Sequence, residues 1–529
     1  MTVTTINGDL LRQMFELGAQ NLSANRHIVD ELNVFPVPDG DTGTNMYLTF
    51  SNSVAELNKL NDLSLYAVAK TASSGALIGA RGNSGVILSQ LLRGVARSCK
   101  NKTSLDITGI AEAVTMAATQ AYKAVMMPTE GTILTVAREM GEFAEAHAGE
   151  YDDMAAFLSD VLETGKKALA KTPELLPVLK EAGVVDAGGQ GLIFILEGMM
   201  SVITGEPLSD APERPAETTA KAEESEEDDD AAYCVKYTIL GIESGAIEKH
   251  QAYLSVIGSA KTPEIGADGV SFHVNTDHPG KALEKAVKAG AVTDISVVNK
   301  QLAAEQEQGE AIPYGFVAVS PGEGLTEIFK EVGVQGVISG GQTMNPSTED
   351  FLAEINKINA EHIFIFPNNG NIIMAANQAK EMSGKNVHVI PTKTIPQCVS
   401  TMLAFDPDVS WDQNEAQMND VLKNVSCGEV TYAVRDTKIG GKTIAKGDII
   451  GIFEKQIVSV GKDVSTVTRE LLAGMVTEDS EMISLYYGSD VSDEEAEALG
   501  EALEKTYPDC DIEIGLGGQP LYFYFVAVE

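Results

Sequence analysis

Two aspartates separated by a single glycine stand near the start of this chain, in the stretch NVFPVPDGDTGTNMYL that begins at Asn33. Asp39 and Asp41 repel each other unless a cation lies between them, and Asn33 could add a neutral oxygen. Mg²⁺ prefers oxygen ligands and is often held by one or two carboxylates together with substrate phosphates. The pair therefore predicts a magnesium site, although a turn that leads into a helix N-cap can have the same sequence.

The residues that follow Asp41 predict phosphate binding at the start of a helix. Gly40 and Gly43 allow a tight backbone. Hydrogen-bond donors stand where the helix dipole favours an anion: Thr42, Thr44 and Asn45. The sequence contains neither the GxxxxGK[ST] loop nor the HRD and DFG motifs, so the standard nucleotide-binding motifs are absent. These residues therefore fit two interpretations, a site for a metal-bound phosphate and a turn that leads into a helix N-cap.

Composition restricts the class of protein. A chain of 529 residues exceeds what one hydrophobic core usually serves, which predicts about three domains. The net charge of −39 argues against nucleic acid as a partner, because phosphate contacts need clustered Lys and Arg. The five cysteines are scattered and odd in number, which predicts no disulfide framework and a cytoplasmic location. We expect no signal peptide and no transmembrane segment.

Changes in composition along the chain predict a multidomain protein. Residues 1–208 have apolar residues at helical spacing, which predicts an all-α helical barrel or bundle. Residues 209–232 carry two prolines and an acidic run, as is typical of a disordered linker. Residues 233–308 predict a small α+β domain. Residues 309–529 alternate strands and helices and predict an α/β domain with a largely parallel sheet.

Individual segments give more specific expectations. In the middle domain, AYLSVIG (residues 252–258) is predicted to be a strand, as are CVKYTILGI and GVSFHVN. In the last domain, polar residues follow predicted parallel strands, at the edge where ligands or partners usually bind in such sheets. These residues are Gln342, Asn345, Asn368, Asn369 and Lys393.

Longer motifs carry a family resemblance. VPDGDTGTNM resembles the nucleotide-binding L subunit of bacterial dihydroxyacetone kinase, and ASSGALIGARGNSGVILSQ, MPTEGTILT and GVVDAGGQGL follow in the order of that domain. The tract that starts at GGQTMNPSTEDF and ends at PTKTIPQ is similar to the C-terminal region of the A subunit of fatty acid kinase. The resemblance to that family covers the chain apart from the linker. It implies an ATP-dependent phosphotransferase that uses two Mg²⁺ ions.

The resemblance assigns the binding residues one by one. Those that would hold Mg²⁺ are Asn33, Asp39 and Asp41, with Asn33 near the family's third acidic ligand. Those that would lie against the phosphates and ribose are Thr42, Gly43, Thr44, Asn45, Ser74, Gly75, Asn83 and Ser84. Among the residues that would hold Mg²⁺, Asn33 departs from the family pattern, because the family has an acidic residue near this position.

Four further residues complete the assignment by resemblance. Thr132 matches another nucleotide-contacting loop, and Asp186 and Gly188 match the segment that closes over the adenine. Arg81 would stabilise the transferring charge, or it would form a salt bridge within the helical bundle.

The same resemblance implies substrate and partners. The acceptor would be a fatty-acid carboxylate, presented by a separate DegV-family fatty-acid-binding protein that docks on the C-terminal domain, and the product would be an acyl phosphate for lipid synthesis. The resemblance also implies a homodimer. Two alternatives stay open: a dihydroxyacetone-type kinase for a small hydroxylated substrate, and a non-catalytic nucleotide-sensing scaffold. The length of this chain and its additional domains argue against the first.

The middle domain carries a weaker expectation. The family can hold Zn²⁺ there with a cysteine and a His-x-His pair, and Cys234 and His273 match two of these residues. Asn275 stands where the second histidine would be, so that His250 or His278 would have to replace it.

Overall fold

The computed structural model describes residues 3–34, 40–125, 127–205, 231–242, 244–266, 269–300, 311–341, 345–433, 436–439, 442–454 and 456–529. The chain divides into two compact units, one formed by Met1–Ala211 with Ile312–Glu529 and the other by Pro212–Ala311. The predicted linker, apart from its last two residues, lies outside the described residues.

The described N-terminal residues form helices joined by short loops, which confirms the all-α prediction. The α-helices are α1 Gly8–Leu32, α2 Thr42–Lys59, α3 Leu65–Ile78, α4 Gly82–Ser98, α5 Ile107–Ala124, α6 Ile133–His147, α7 Met154–Leu175, α8 Pro177–Ala182 and α9 Ala187–Thr204. Helix α1 is an example of a capped helix with one apolar face. Asn7 caps it by accepting from Leu10 N at 2.9 Å, and Leu11, Phe15 and Leu22 face the core.

Helix α9 is the one helix in the described part that is long and apolar enough to cross a membrane, with a mean hydropathy of 1.3. It packs along α1 instead, and 56% of its residues are buried within the helical domain. Leu192, Ile193 and Ile195 lie in the same core cluster as Phe15. Burial against other helices therefore accounts for its apolar sequence.

The middle unit is an antiparallel sheet with two helices beside it. Its elements are β1 Tyr233–Leu240, α10 Ser244–Ile257, β2 Ser259–Ala260, β3 Glu264–Ile265, β4 Gly269–Thr276, α11 Pro279–Ala289 and β5 Ala291–Asn299, with the strand order β2-β4-β1-β5. The strand predicted at residues 252–258 is wrong, because these residues continue α10 to Ile257. His250 and Leu254, four residues apart, are both buried, as one face of a helix requires.

The C-terminal part begins with the predicted strand–helix alternation. Its elements are β6 Ile312–Ser320, α12 Glu323–Glu331, β7 Gly336–Ser339, α13 Thr348–Lys357, β8 Ala360–Phe366, α14 Ile373–Met382, β9 Val387–Val389, α15 Ile395–Leu403 and α16 Trp411–Val421. The strands form a sheet of order β7-β6-β8-β9 in which every pair is parallel. The parallel sheet is therefore confirmed.

The last hundred residues build a second sheet beside the first. Its elements are β10 Ser426–Tyr432, β11 Thr437–Ile439, β12 Lys442–Ile444, β13 Ile449–Phe453, β14 Gln456–Gly461, α17 Val464–Met475, β15 Met482–Tyr487, α18 Asp493–Thr506, β16 Asp511–Leu516 and β17 Tyr522–Val528. The strand order is β14-β13-β10-β17-β15-β16, and only β15 and β16 pair in parallel. Phe316 and Phe364 share a buried cluster with Tyr486 and Phe525, so the two sheets form one domain.

Candidate functional site

Asp41 occupies the N-cap position of α2 and is only 7% exposed. Its side chain makes no capping bond to its own helix. Its Oδ2 atom instead accepts a hydrogen bond from Nδ2 of Asn345, at 2.6 Å. Asn33, which follows the last turn of α1, is 5% exposed. Asp39 lies outside the described residues.

Asp30, on the last turn of α1, caps α2 in place of Asp41. Its two carboxylate oxygens accept from the Thr44 backbone N at 3.0 Å and from the Thr44 hydroxyl at 2.9 Å. Burial raises the pKa of Asp30 above its ordinary value, against the opposing effect of the Thr44 donors. Both hydrogen-bond donors of Thr44 therefore bond to Asp30 on α1. The predicted contact of Thr44 with phosphate stays a prediction. Sequence reasoning missed Asp30, which carries no motif signal and lies 14 residues before Thr44.

The N-terminus of α4 lies against the first turn of α2. Gly82 adopts a left-handed backbone with a φ of 59°, and a Cβ atom there would lie 2.8 Å from Nδ2 of Asn45. A Cβ atom on Gly85 would lie 2.3 Å from the Thr49 hydroxyl. These two glycines therefore let the starts of α2 and α4 approach closely.

The N-termini of α6 and α9 join the same end of the helical domain. Thr132 caps α6, and a Cβ atom on Gly188, in the first turn of α9, would lie 3.3 Å from Cβ of Ile133. One turn on, a Cβ atom on Gly191 would lie 2.6 Å from Sδ of Met46 on α2. Four helix N-termini thus lie next to one another, and their combined dipoles favour an anion at this end.

Asp186 caps α9 from a buried position. Its Oδ2 atom accepts from Gly189 N at 2.7 Å, and its side chain is almost fully enclosed. Burial raises the pKa of Asp186 to about 6, although backbone N–H groups of Gly189 and Ile133 act in the opposite direction. The residue assigned by resemblance to the adenine side thus also holds the start of α9.

We expect Asp186→Asn to change the pH dependence of stability. Because the folded-state pKa is raised above the unfolded value of 3.8, the contribution of Asp186 is full below that value and is lost as pH rises through about 6. The free energy of unfolding of the wild type relative to the variant should fall by about 1 kcal/mol between about pH 5 and pH 7. Urea unfolding at a series of pH values measures this.

Asp106→Asn is the matched control, because Asp106 caps α5 from an exposed position through a comparable bond to Gly109 N at 2.8 Å. A difference that does not vary with pH for Asp186→Asn would contradict the assigned shift.

The other residues assigned to the nucleotide lie on α3 and α4. Ser74 is exposed on α3, and Gly75 lies against Asn52, about 16 Å along α2 from Asp41 at 1.5 Å per residue. Asn83 donates through Nδ2 to Oδ1 of Asn371 at 3.1 Å. Ser84 is half-buried in the first turn of α4.

Arg81 does not point back into the helical bundle. Its guanidinium donates to the backbone oxygen of Asn345 at 2.9 Å and lies 3.5 Å from Oδ2 of Asp350. The ion pair considered within the bundle is therefore formed with the C-terminal domain. Its predicted role in stabilising transferring charge stays a prediction.

The donors around Asp41 suit Mg²⁺. Oxygen atoms of a buried carboxylate and of the buried amides of Asn33 and Asn345 lie at this end of the helical domain. Oδ1 of Asn345 has no hydrogen-bond partner among the described residues, so that it is available to a cation or to water. This side-chain set fits the Mg²⁺ that Asp39 and Asp41 predict from the sequence.

The middle unit brings together only two of the zinc donors. Sγ of Cys234 lies 3.2 Å from Nε2 of His273. Nε2 of His250 is hydrogen-bonded to the Tyr237 hydroxyl at 2.8 Å, and His278 occupies the N-cap position of α11. No third His, Cys, Asp or Glu joins them in the described part of the chain, and zinc usually takes four ligands. The structure does not support the zinc prediction.

Three known domain families match most of the chain. The DAK2 domain matches residues 36–201. The middle domain of fatty acid kinase A-subunit-like (FakA-like) proteins matches residues 230–307, and the C-terminal domain of the same proteins matches residues 315–529. Protein YloV of Bacillus subtilis is 40% identical over 556 residues, and the match covers 100% of both chains. The chain belongs to the FakA-like family.

Solved structures give weaker matches to this family member. A DegV family protein from Corynebacterium glutamicum covers 41% of this chain and 97% of its own, with 13% identity and a TM-score of 0.32. The dihydroxyacetone kinase from C. freundii in complex with AMP-PNP and Mg²⁺ covers 39% of this chain and 35% of its own, with 16% identity and a TM-score of 0.30. Similarity at this level identifies neither ligand nor partner.

The polar residues predicted as a docking edge are mostly enclosed in this family member. Asn345, Asn368 and Asn369 are 1%, 4% and 5% exposed. Asn368 donates to Val319 O at 2.9 Å, and Asn369 donates to Gly341 O at 3.1 Å, so both hold strand ends together. Lys393 is exposed, and Gln342 lies outside the described residues.

Proposed function

We propose that this chain is the catalytic component of an ATP-dependent fatty acid kinase, which transfers the γ-phosphate of ATP to a fatty-acid carboxylate and releases an acyl phosphate for lipid synthesis. One observation carries the proposal. The buried carboxylate of Asp41 lies where the N-termini of four helices converge, within the region matched by the DAK2 domain. Membership of the FakA-like family supports the choice of acceptor.

In this proposal the helix N-termini bind the phosphates of ATP through their backbone N–H groups. Asp39, Asp41 and Asn33 would hold two Mg²⁺ ions, and these ions would neutralise negative charge on the phosphates. Burial of Asp41 keeps its carboxylate in a site of low dielectric, where its interaction with a cation is strong. Transfer depends mainly on positioning and electrostatic stabilisation.

The acceptor requires no general base from this chain. A fatty-acid carboxylate is already ionised near neutral pH, because its pKa resembles that of a glutamate side chain. Catalysis then requires that two negatively charged reactants be held close together. The adjoining helix N-termini, each of which carries partial positive charge, favour this arrangement.

The proposal includes a partner and a location. A DegV-family fatty-acid-binding protein would present the acyl substrate, the chain would act as a homodimer, and the enzyme would work in the cytoplasm. These points rest on the resemblance of the motifs and on family membership.

Transfer of labelled phosphate tests the function directly. The full chain is incubated with Mg²⁺ and γ-labelled ATP and a long-chain fatty acid, with and without a DegV-family fatty-acid-binding protein. We expect labelled acyl phosphate only when the binding protein is present. Bound ATP without transfer to any fatty acid would contradict the proposal.

Two other functions remain as outcomes of that assay. Transfer to dihydroxyacetone or a similar hydroxylated compound would indicate a dihydroxyacetone-type kinase. Nucleotide binding without transfer to either acceptor would indicate a nucleotide-sensing scaffold. The enclosed carboxylate of Asp41 favours a bound cation under each of these functions, because burying a charge is costly unless it is paired.

A further inference from the structure

A loop of the C-terminal domain lies against the candidate metal site. Asn345, Ser347 and Thr348, which lead into α13, are at most 2% exposed. Two backbone contacts join this loop to the residues before α4. Thr348 N donates to Ala80 O at 3.1 Å, and Arg81 and Ser347 form an antiparallel bridge. The loop is therefore fixed to the helical domain by its main chain.

Side chains hold the same loop in one position. Ser347 and Asp350 form a capping box at the start of α13, in which Ser347 N donates to Asp350 Oδ2 at 2.6 Å and Asp350 N donates to Ser347 Oγ at 3.1 Å. The guanidinium of Arg81 spans the loop from Asn345 O to Asp350. Arg81 thus anchors Asn345 beside the helical domain.

The side chain of Asn345 then reaches Asp41. Its Nδ2 atom donates to Asp41 Oδ2 at 2.6 Å, across 304 residues of sequence. Gly82 leaves the necessary space, because a Cβ atom there would lie 3.3 Å from Nδ2 of Asn345 and 2.8 Å from Nδ2 of Asn45. The left-handed φ of Gly82 is a conformation that other residues adopt rarely.

The amide oxygen of Asn345 indicates that a ligand binds beside Asp41. Oδ1 is buried and has no hydrogen-bond partner in the described part of the chain, although Nδ2 of the same group is engaged with Asp41. A buried acceptor that lacks a partner has lost its hydrogen bonds to water without replacing them, which is unfavourable. A cation held by Asp41, with or without its bound water, would satisfy this oxygen.

We propose that Asn345 is the positioning residue for the metal-binding carboxylate, so that the C-terminal domain completes the kinase site. Through Nδ2 it holds Asp41 in one orientation, and through Oδ1 it adds a neutral oxygen beside the metal. Partners that orient a ligand in this way commonly change metal affinity by about 10- to 100-fold when they are removed. The role of the metal in phosphate transfer rests on the proposed function. The role of Asn345 in metal binding does not.

Binding of Mn²⁺ alone to the full chain, measured by electron paramagnetic resonance without nucleotide or acceptor, tests this inference. We expect Asn345→Leu, which has a similar size and no hydrogen-bonding group, to weaken Mn²⁺ binding by about 10- to 100-fold. The Mg²⁺ concentration that half-activates phosphate transfer should rise by a similar factor, whereas the KM for the acyl acceptor should change little.

Gln378→Leu is the matched control. Gln90 on α4 donates to Oε1 of Gln378 on α14 at 3.1 Å, so this variant removes a buried amide from the same contact between domains without touching Asp41. We expect its Mn²⁺ affinity to stay within about twofold of the wild type. An equal loss in Gln378→Leu would show that general domain contact, and not Asn345, controls the site.

Other outcomes are also decisive. Unchanged Mn²⁺ affinity in a folded Asn345→Leu chain would overturn the inference, and tighter binding would show that Asn345 blocks the site. If Asn345→Leu does not fold, Asn345→Ser gives the same comparison with a smaller side chain. Wild-type chain that binds Mn²⁺ through Asn345 but transfers no phosphate to a fatty acid would contradict the proposed function and leave this inference intact.

Discussion

Asp41→Asn is expected to lower the rate of acyl phosphate formation by about a thousandfold or more, while the chain stays folded. The substitution keeps the size of the side chain but removes the negative charge that holds a cation against the phosphates, and such metal stabilisation supplies several kcal/mol of a transition state. Asp41 is buried at the N-cap of α2, so water screens its charge only weakly and the loss of that charge has a large effect.

The assay uses labelled ATP with the acyl-carrying partner present, and circular dichroism confirms folding. Asp9→Asn, an exposed aspartate on α1, is the matched control and should keep wild-type activity. Full activity in Asp41→Asn would exclude Asp41 from the metal site and would also remove the basis for the role of Asn345. Loss of activity with unchanged Mn²⁺ affinity would assign Asp41 a different part in the reaction.

Gly43→Ala is expected to destabilise the helical domain by about 3 kcal/mol, the upper end of the usual overpacking cost. A Cβ atom at this position would lie 2.2 Å from the backbone oxygen of Arg26 and 2.9 Å from Cβ of Val29. Backbone atoms of a long helix cannot give way by that amount, so the start of α2 must move away from α1. The Asp30 bonds to Thr44 would be strained by the same shift.

Urea unfolding followed by circular dichroism measures this change. Gly149→Ala is the matched control, because a Cβ atom at Gly149 would meet no atom within 4 Å, and its effect should stay within about 0.5 kcal/mol. A Gly43→Ala chain as stable as the wild type would contradict the assigned role of Gly43 in the packing of α1 against α2.

The role of Gly43 illustrates how far sequence reasoning reaches into the site. A glycine in a motif can indicate a ligand that approaches closely or a helix that does, and sequence cannot separate these causes. Asp30 is a residue whose role the sequence does not reveal at all. Its capping of α2 depends on how two helices meet, so nothing in the residues around it predicts that role.

Local periodicity determined most of the secondary structure. The helical spacing of residues 1–208 and the strand–helix alternation after residue 312 express which face of each element is apolar, and this is a property of neighbouring residues. The strand predicted at residues 252–258 failed because a short apolar run fits either period, and only the burial of His250 and Leu254 on one helix face resolves it.

The family and the aspartate pair Asp39 and Asp41 can be recognised from the sequence, since both belong to contiguous motifs whose residue types restrict the chemistry. The contact of Asn345 with Asp41 and the ion pair of Arg81 with the C-terminal domain are visible only in the folded chain. These contacts join residues that are hundreds of positions apart. They depend on how packed domains place the ends of their helices and loops, and no short stretch of sequence contains that information.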